Sequence, residues 1–176
     1  RILARLEELG RPLPQLLQPG LTRAQIDAHT AHLPFRLPEE VCRLYMWRNG
    51  TATGEDVLLA DIVLFDSKHF LPLEEALEIH RQIPQDPDHY SDVYDPELVE
   101  ALDGATLFPL FSDGFGGYYT VACRPEPSQT GLMIDDFGGG AEPRLAFPSL
   151  TRMMSVLADL YEAGVEAPFL EEEDST

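Results

Sequence analysis

Apolar residues recur along the chain at two spacings. One repeats every three or four residues, which puts side chains on a single face of a helix. Ile2, Leu3, Leu6 and Leu9 carry it first, and Pro12, Pro14 and Pro19 break it. After Thr22, whose partner Gln25 completes a capping box, it runs through Ala24, Ile26, Ala28 and Ala31. Within LPFRLPEEVCRLYMWRNG at 33–50, Pro38 suits a first helical turn and Glu39 and Glu40 suit its positive end. Val41, Leu44 and Tyr45 share a face there, and Asn49-Gly50 reads as the stop. Trp47 lies off this stripe and is expected at the core or its edge. Leu73, Ala76, Leu77 and His80 form a further inner face. Leu98, Val99 and Leu102 mark a short helix after Asp95-Pro96. Leu150, Met153, Met154, Leu157, Leu160 and Tyr161 make the broadest stripe, with Ser149 as its cap.

The other spacing is the short apolar run of a strand. It occurs at 57–59, 62–65, 69–71, 107–111, 118–122 and 132–134, with Asp61 or Asp66-Ser67 as turn signals among the early runs. Residues 107–136 therefore read as strand, wide hairpin, strand, turn and strand, the centre of a sheet. Alternation in the middle strand predicts that one of Tyr118 and Tyr119 is buried and the other more exposed. The segment PQDPDHYSDVYDPE at 84–97 reads as a long exposed loop, the glycines at 138–140 as a flexible connection. The pattern predicts an α+β fold: a single domain with a mixed or mainly antiparallel sheet packed against helices. Residues 1–19 read as an N-terminal helix and connector, 20–165 as the domain and 166–176 as an acidic tail.

Length and charge narrow the function. The chain has 176 residues, of which 44% are hydrophobic, enough for one real core. It carries 31 acidic against 12 basic residues, a formal charge of −19. Such a charge repels nucleic-acid phosphates and anionic lipid, and attracts a basic protein. No apolar stretch approaches the roughly 18 residues of a membrane span, and no signal pattern is present, so a cytoplasmic setting is expected. Cys42 and Cys123 are the only cysteines, and buried free thiols are expected of them.

Candidate chemistry is sparse. The glycines at 114–117 and 138–140 lack the Gly-Lys-Ser/Thr of a phosphate loop and sit among Asp residues, so hairpin turns fit them better. Asp113, Asp135 and Asp136 would hold a divalent cation or act as an acid/base pair if they converged. Yet Asp113 beside Gly114 suits a turn that satisfies local amides, and Asp135 and Asp136 point to opposite faces of a continuing strand. His29 and His32 share a helix face without a third ligand nearby. Ser112-Asp113 has no nucleophile-elbow pattern, and neither cysteine has a neighbouring histidine. No catalytic residue, metal or cofactor is expected. Tyrosine offers contact area at small entropic cost, and Tyr90, Tyr94, Tyr118 and Tyr119 lie near acids and turns. Tyr90, Tyr94 and Tyr118, with Asp92, Asp113, Asp135 and Asp136, form the predicted partner-binding set.

Read in order, these elements resemble the SUKH superfamily, which includes fungal SMI/KNR-type cell-wall-assembly regulators and many bacterial immunity proteins. The resemblance rests on LPEEVCRLYMWRNG at 37–50, HFLPLEEALEIH at 69–80, LFPLFSDGFGGYYTV at 107–121 and AFPSLTRMMSVLADL at 146–160, and spans about residues 20–163. It implies a sheet backed by helices and a non-enzymatic binding role. The bacterial type implies an immunity protein that neutralises a toxin domain such as a nuclease. A regulatory or scaffold domain of the same fold, without a toxin, is the alternative. A carboxylate-dependent hydrolase using Asp113, Asp135 and Asp136 is a third reading.

Overall fold

The computed structural model describes residues 1–83, 95–136 and 143–165. Tyr90, Asp92, Tyr94, the glycines at 138–140 and the tail from 166 lie outside the described residues.

The fold is α+β. Five strands form an antiparallel sheet in the order β3 (His69–Phe70), β4 (Thr106–Ser112), β5 (Tyr118–Cys123), β6 (Met133–Asp136) and β7 (Arg144–Phe147). Pro109 lies in β4 and cannot donate to a ladder. It is accommodated by a bulge: Phe108 pairs with Val121, whereas Phe111 pairs with Tyr119. The extra residue puts Phe108 and Phe111 on the same face. That face meets α4 (Glu39–Trp47) and α8 (Leu150–Glu162), whose Val41, Tyr45, Met153, Leu157 and Tyr161 are buried. Aromatic rings fill the contact. Phe65 lies edge-on to Phe111 at 5.0 Å and to Tyr119 at 5.2 Å, and Tyr45 packs on Phe70 at 5.3 Å.

Four further helices follow the predicted spacing. In α1 (Ile2–Glu8) Leu6 is buried, and Arg1 pairs with Asp159 and Glu162 of α8. The single turn α2 (Leu13–Leu16) buries Leu13, so the first 19 residues are packed into the same core. In α3 (Arg23–Thr30) the capping box forms, with the Gln25 amide donating to Thr22 Oγ1 at 3.2 Å and the Thr22 amide donating to Gln25 Oε1 at 2.8 Å. In α6 (Leu73–Gln82) the predicted inner face is buried, His80 included, its ring against Phe35 at 5.2 Å. A short α7 (Pro96–Ala101) starts on Asp95.

Other parts differ from the pattern. Residues 57–59 are not a strand: the chain makes one helical turn, α5 (Leu59–Ile62), because Leu59 and Ile62 both turn inward. Residues 62–65 form no extended strand either. Phe65 and Lys68 form a single bridge around Asp66 and Ser67, both at positive φ (44° and 59°), as in a two-residue hairpin turn. β7 and the small pair β1 (Leu17–Pro19) with β2 (Arg48–Thr51) lie outside the predicted runs.

Asn49-Gly50 does not cap α4. That helix ends at Trp47 and the chain enters β2 directly. Asn49 Oδ1 instead accepts from the Leu73 amide at 2.9 Å, supplying α6 with the N-terminal acceptor that Pro72 lacks. Gly50 has φ +69°, and a Cβ there would meet the Pro72 nitrogen at 2.2 Å. Trp47 sits at the edge of the core, 40% exposed, lining a narrow apolar crevice with Leu3, Leu13 and Leu17.

Glu40 also acts away from its own helix. It is buried. Its Oε1 accepts from the amides of Gly131 (3.0 Å) and Leu150 (3.1 Å), and its Oε2 from the amide (2.9 Å) and hydroxyl (2.8 Å) of Thr151. One carboxylate of α4 thus caps α8 and holds the β5–β6 connection. That connection reciprocates: Ser128 and Gln129 carbonyls accept from the first amides of α4 at 2.9 and 3.1 Å.

Candidate functional site

The register of the central strands decides what the singled-out residues can do. Tyr119 pairs with Asp135 and Tyr118 with Asp136, so the two pairs face opposite sides of the sheet. Tyr119 is buried and Tyr118 half-buried, as the alternation predicts.

Asp135 is not displayed to solvent. It is 4% exposed. Its Oδ1 lies 3.8 Å from Lys68 Nζ and its Oδ2 lies 3.8 Å from the Arg144 guanidinium. Lys68 is itself only 2% exposed and stands 4.8 Å from the Tyr119 ring centre. The Tyr119 hydroxyl donates to Asp66 Oδ2 at 3.1 Å. The tight turn at Asp66 and Ser67 builds this cluster, because it sends Lys68 inward and brings Asp66 to the tyrosine. Asp135 Oδ1 accepts no hydrogen bond. Burial pushes the Asp135 carboxyl up to about 6, and the charges of Lys68 and Arg144 oppose that rise. Burial, followed by the negative charges of Asp135 and Asp66, raises the Tyr119 phenol. Such a cluster is a structural ion network between the turn before β3 and strands β5, β6 and β7. Its protonation affects stability.

Asp113 is used locally. Its Oδ1 accepts from the amides of Phe115 (2.7 Å) and Gly117 (2.9 Å), and its own amide donates to the Gly117 carbonyl at 3.0 Å. Ser112 Oγ accepts from the Gly114 amide at 3.0 Å. The loop between β4 and β5 is therefore pinned from within. At its tip Phe115 is 88% exposed. The sequence signal for this was present, since an aromatic between Gly114 and Gly116 has no strand partner to pack on.

Asp136 is half-buried, and burial raises its carboxyl and the Tyr118 phenol beside it. Register also aligns His69, Ser112, Tyr118 and Asp136 across four strands. Burial lowers the His69 imidazole, favouring its neutral form, and its Nδ1 has no hydrogen-bond partner.

The three carboxylates of the hydrolase reading do not share a face: Asp135 is inside, Asp136 is on the other side of β6, and Asp113 is tied into its own loop. Among the described residues no group of three or more His, Cys, Asp or Glu is arranged to hold a metal ion. Cys42 and Cys123 are unpaired and buried, and burial raises both thiols. No helix among the described residues is long and apolar enough to cross a membrane. Compared with protein-family models and with curated proteins, the chain matches none.

Proposed function

We propose that this chain is a non-enzymatic protein-binding module for a basic partner, of the immunity-protein type that its SUKH resemblance implies, neutralising a toxin domain such as a nuclease. The observation that supports it most is how the positive charge is used. The chain has 12 bases against 31 acids. Its only lysine is buried against Asp135. Arg1, Arg5, Arg23, Arg43 and Arg81 are paired with carboxylates, and Arg11, Arg48 and Arg124 donate to main-chain carbonyls. The outer surface is left with a large unmatched negative charge, which steers a basic protein and resists nucleic acid. Two buried unpaired thiols suit a reducing compartment.

The test is affinity capture with the tagged full chain from its host cells, followed by titration of each purified candidate at low and high salt. The expected partner is basic, binds directly, and binds more weakly as salt rises. If that partner is a nuclease, its activity falls on adding the chain. Capture of only acidic proteins, or affinity indifferent to salt, refutes the reading.

A further inference from the structure

A single exposed apolar residue needs no explanation. The β4–β5 loop and the segment leading into α5 together present two. Phe115 is 88% exposed at its tip, and Leu58, at the start of α5, is 67% exposed. The two segments are neighbours: a Cβ added to Gly114 would lie 3.9 Å from Cδ2 of Leu59, the residue after Leu58. The tip is not free to fold its ring away, because Asp113 and Ser112 hold the amides of Gly114, Phe115 and Gly117. Exposed Glu55 and Asp56 directly precede the Val57-Leu58 step.

We infer that Phe115 and Leu58 form a docking knob that enters an apolar pocket of a partner protein, where basic side chains on the pocket rim meet Glu55 and Asp56. This rests on the binding-module reading above and adds the surface and the chemistry of its counterpart. The rigid loop lowers the ordering cost of binding, and an aromatic anchor is the residue type that carries most interface energy. Charge selects the occupant. A second copy would bring another acidic rim and another net charge of −19 against the first. Nucleic acid and anionic membrane are repelled in the same way. A pocket ringed with Arg or Lys satisfies both the apolar tip and its acidic border.

The test is panning of a randomised phage-displayed peptide library on the immobilised full chain, then titration of the synthesised winners. Enriched peptides are expected to place Arg or Lys on both sides of an aromatic or aliphatic residue. Phe115→Ser and Leu58→Ser, both on the surface, should leave the thermal melt unchanged and each weaken binding about tenfold or more. A Glu55→Gln, Asp56→Asn double variant should weaken binding less and flatten its salt dependence. If basic peptides bind but are insensitive to Phe115→Ser and Leu58→Ser, and weaken with Tyr118→Ala or Asp136→Asn, the binding-module reading stands and the knob is overturned. If no basic peptide is enriched, both fall.

Discussion

Replacing Glu40 with Ala removes one side chain and four hydrogen bonds. The carboxylate accepts from Gly131, Leu150 and both donors of Thr151 at 2.8–3.1 Å. Bonds to an ionised acceptor contribute about 1.5–3 kcal/mol each in isolation, but the four share one group and are not additive. Ser149 still accepts from the Arg152 amide, so the start of α8 keeps one cap. Loss of a helix cap costs about 1 kcal/mol, and stripping the partner from a buried charged network about 3–5 kcal/mol. Partial entry of water lowers this to about 3–4 kcal/mol for Glu40→Ala. For a chain of this size that is a fall of about 10 °C in Tm, or about 1.5–2 M in urea midpoint at an unchanged slope. Glu40→Gln keeps the shape and one acceptor oxygen but turns an NH2 toward donors, so it should lose about half as much. Hydrogen exchange should quicken first at the amides of Gly131, Leu150 and Thr151. A loss below about 1 kcal/mol for Glu40→Ala, or a Gln variant as stable as the parent, would refute the assignment of Glu40 as the cap of α8.

Asp135 gives a pH prediction. Its carboxyl is raised in the folded state to about 6 from an ordinary 3.8, so the folded protein holds that proton more tightly than the unfolded chain. Its contribution is therefore fully present below about pH 4 and is lost as pH rises toward 6, by at most about 3 kcal/mol. Burial raises Asp136 and Glu75 as well, and they act in the same direction. Urea midpoints across that window should fall less steeply in Asp135→Asn than in the parent, and equal slopes would rule the assignment out. Two glycines make a controlled pair. Gly50→Ala combines φ +69° with a 2.2 Å approach to Pro72, whereas Gly10 has φ +67° and nothing within 4 Å. Chemical denaturation should show about 3 kcal/mol or more lost at Gly50 and about 1 kcal/mol at Gly10; similar losses would mean that the approach of β2 to Pro72 is looser than described.

Much of the fold was legible because its helices bury continuous stripes. The stripe through Leu150, Met153, Leu157 and Tyr161 and the inner face through Leu73, Ala76, Leu77 and His80 are set by local spacing alone. So was the outward and inward split of Tyr118 and Tyr119. What escaped the pattern depends on partners distant in sequence. Asn49-Gly50 has the composition of a helix stop, but its position is set by the start of α6. Residues 57–59 are apolar enough for a strand, yet find no neighbouring strand to pair with. Asp135 reads as a surface acid until Lys68, in the turn before β3, is known to lie 3.8 Å away. Glu39 and Glu40 look alike on paper, and only tertiary packing separates a half-exposed carboxylate from one that holds three segments together. For the candidate surface, the tyrosine at 118 remained near the outside, while the anchor at the loop tip was an aromatic whose glycine neighbours had been read only as a turn.

The inward placement of Lys68 has a chemical consequence. It is the only lysine of the chain and is 2% exposed. The folded chain therefore offers no side-chain amine to acetylating enzymes, to ubiquitin-like conjugation or to amine-directed cross-linkers, and trypsin meets only arginines on its surface. The same feature turns Lys68 into a built-in clock. Because its amine is reached only when the sheet opens, the rate at which an amine-reactive label attaches there reports the opening of the core itself.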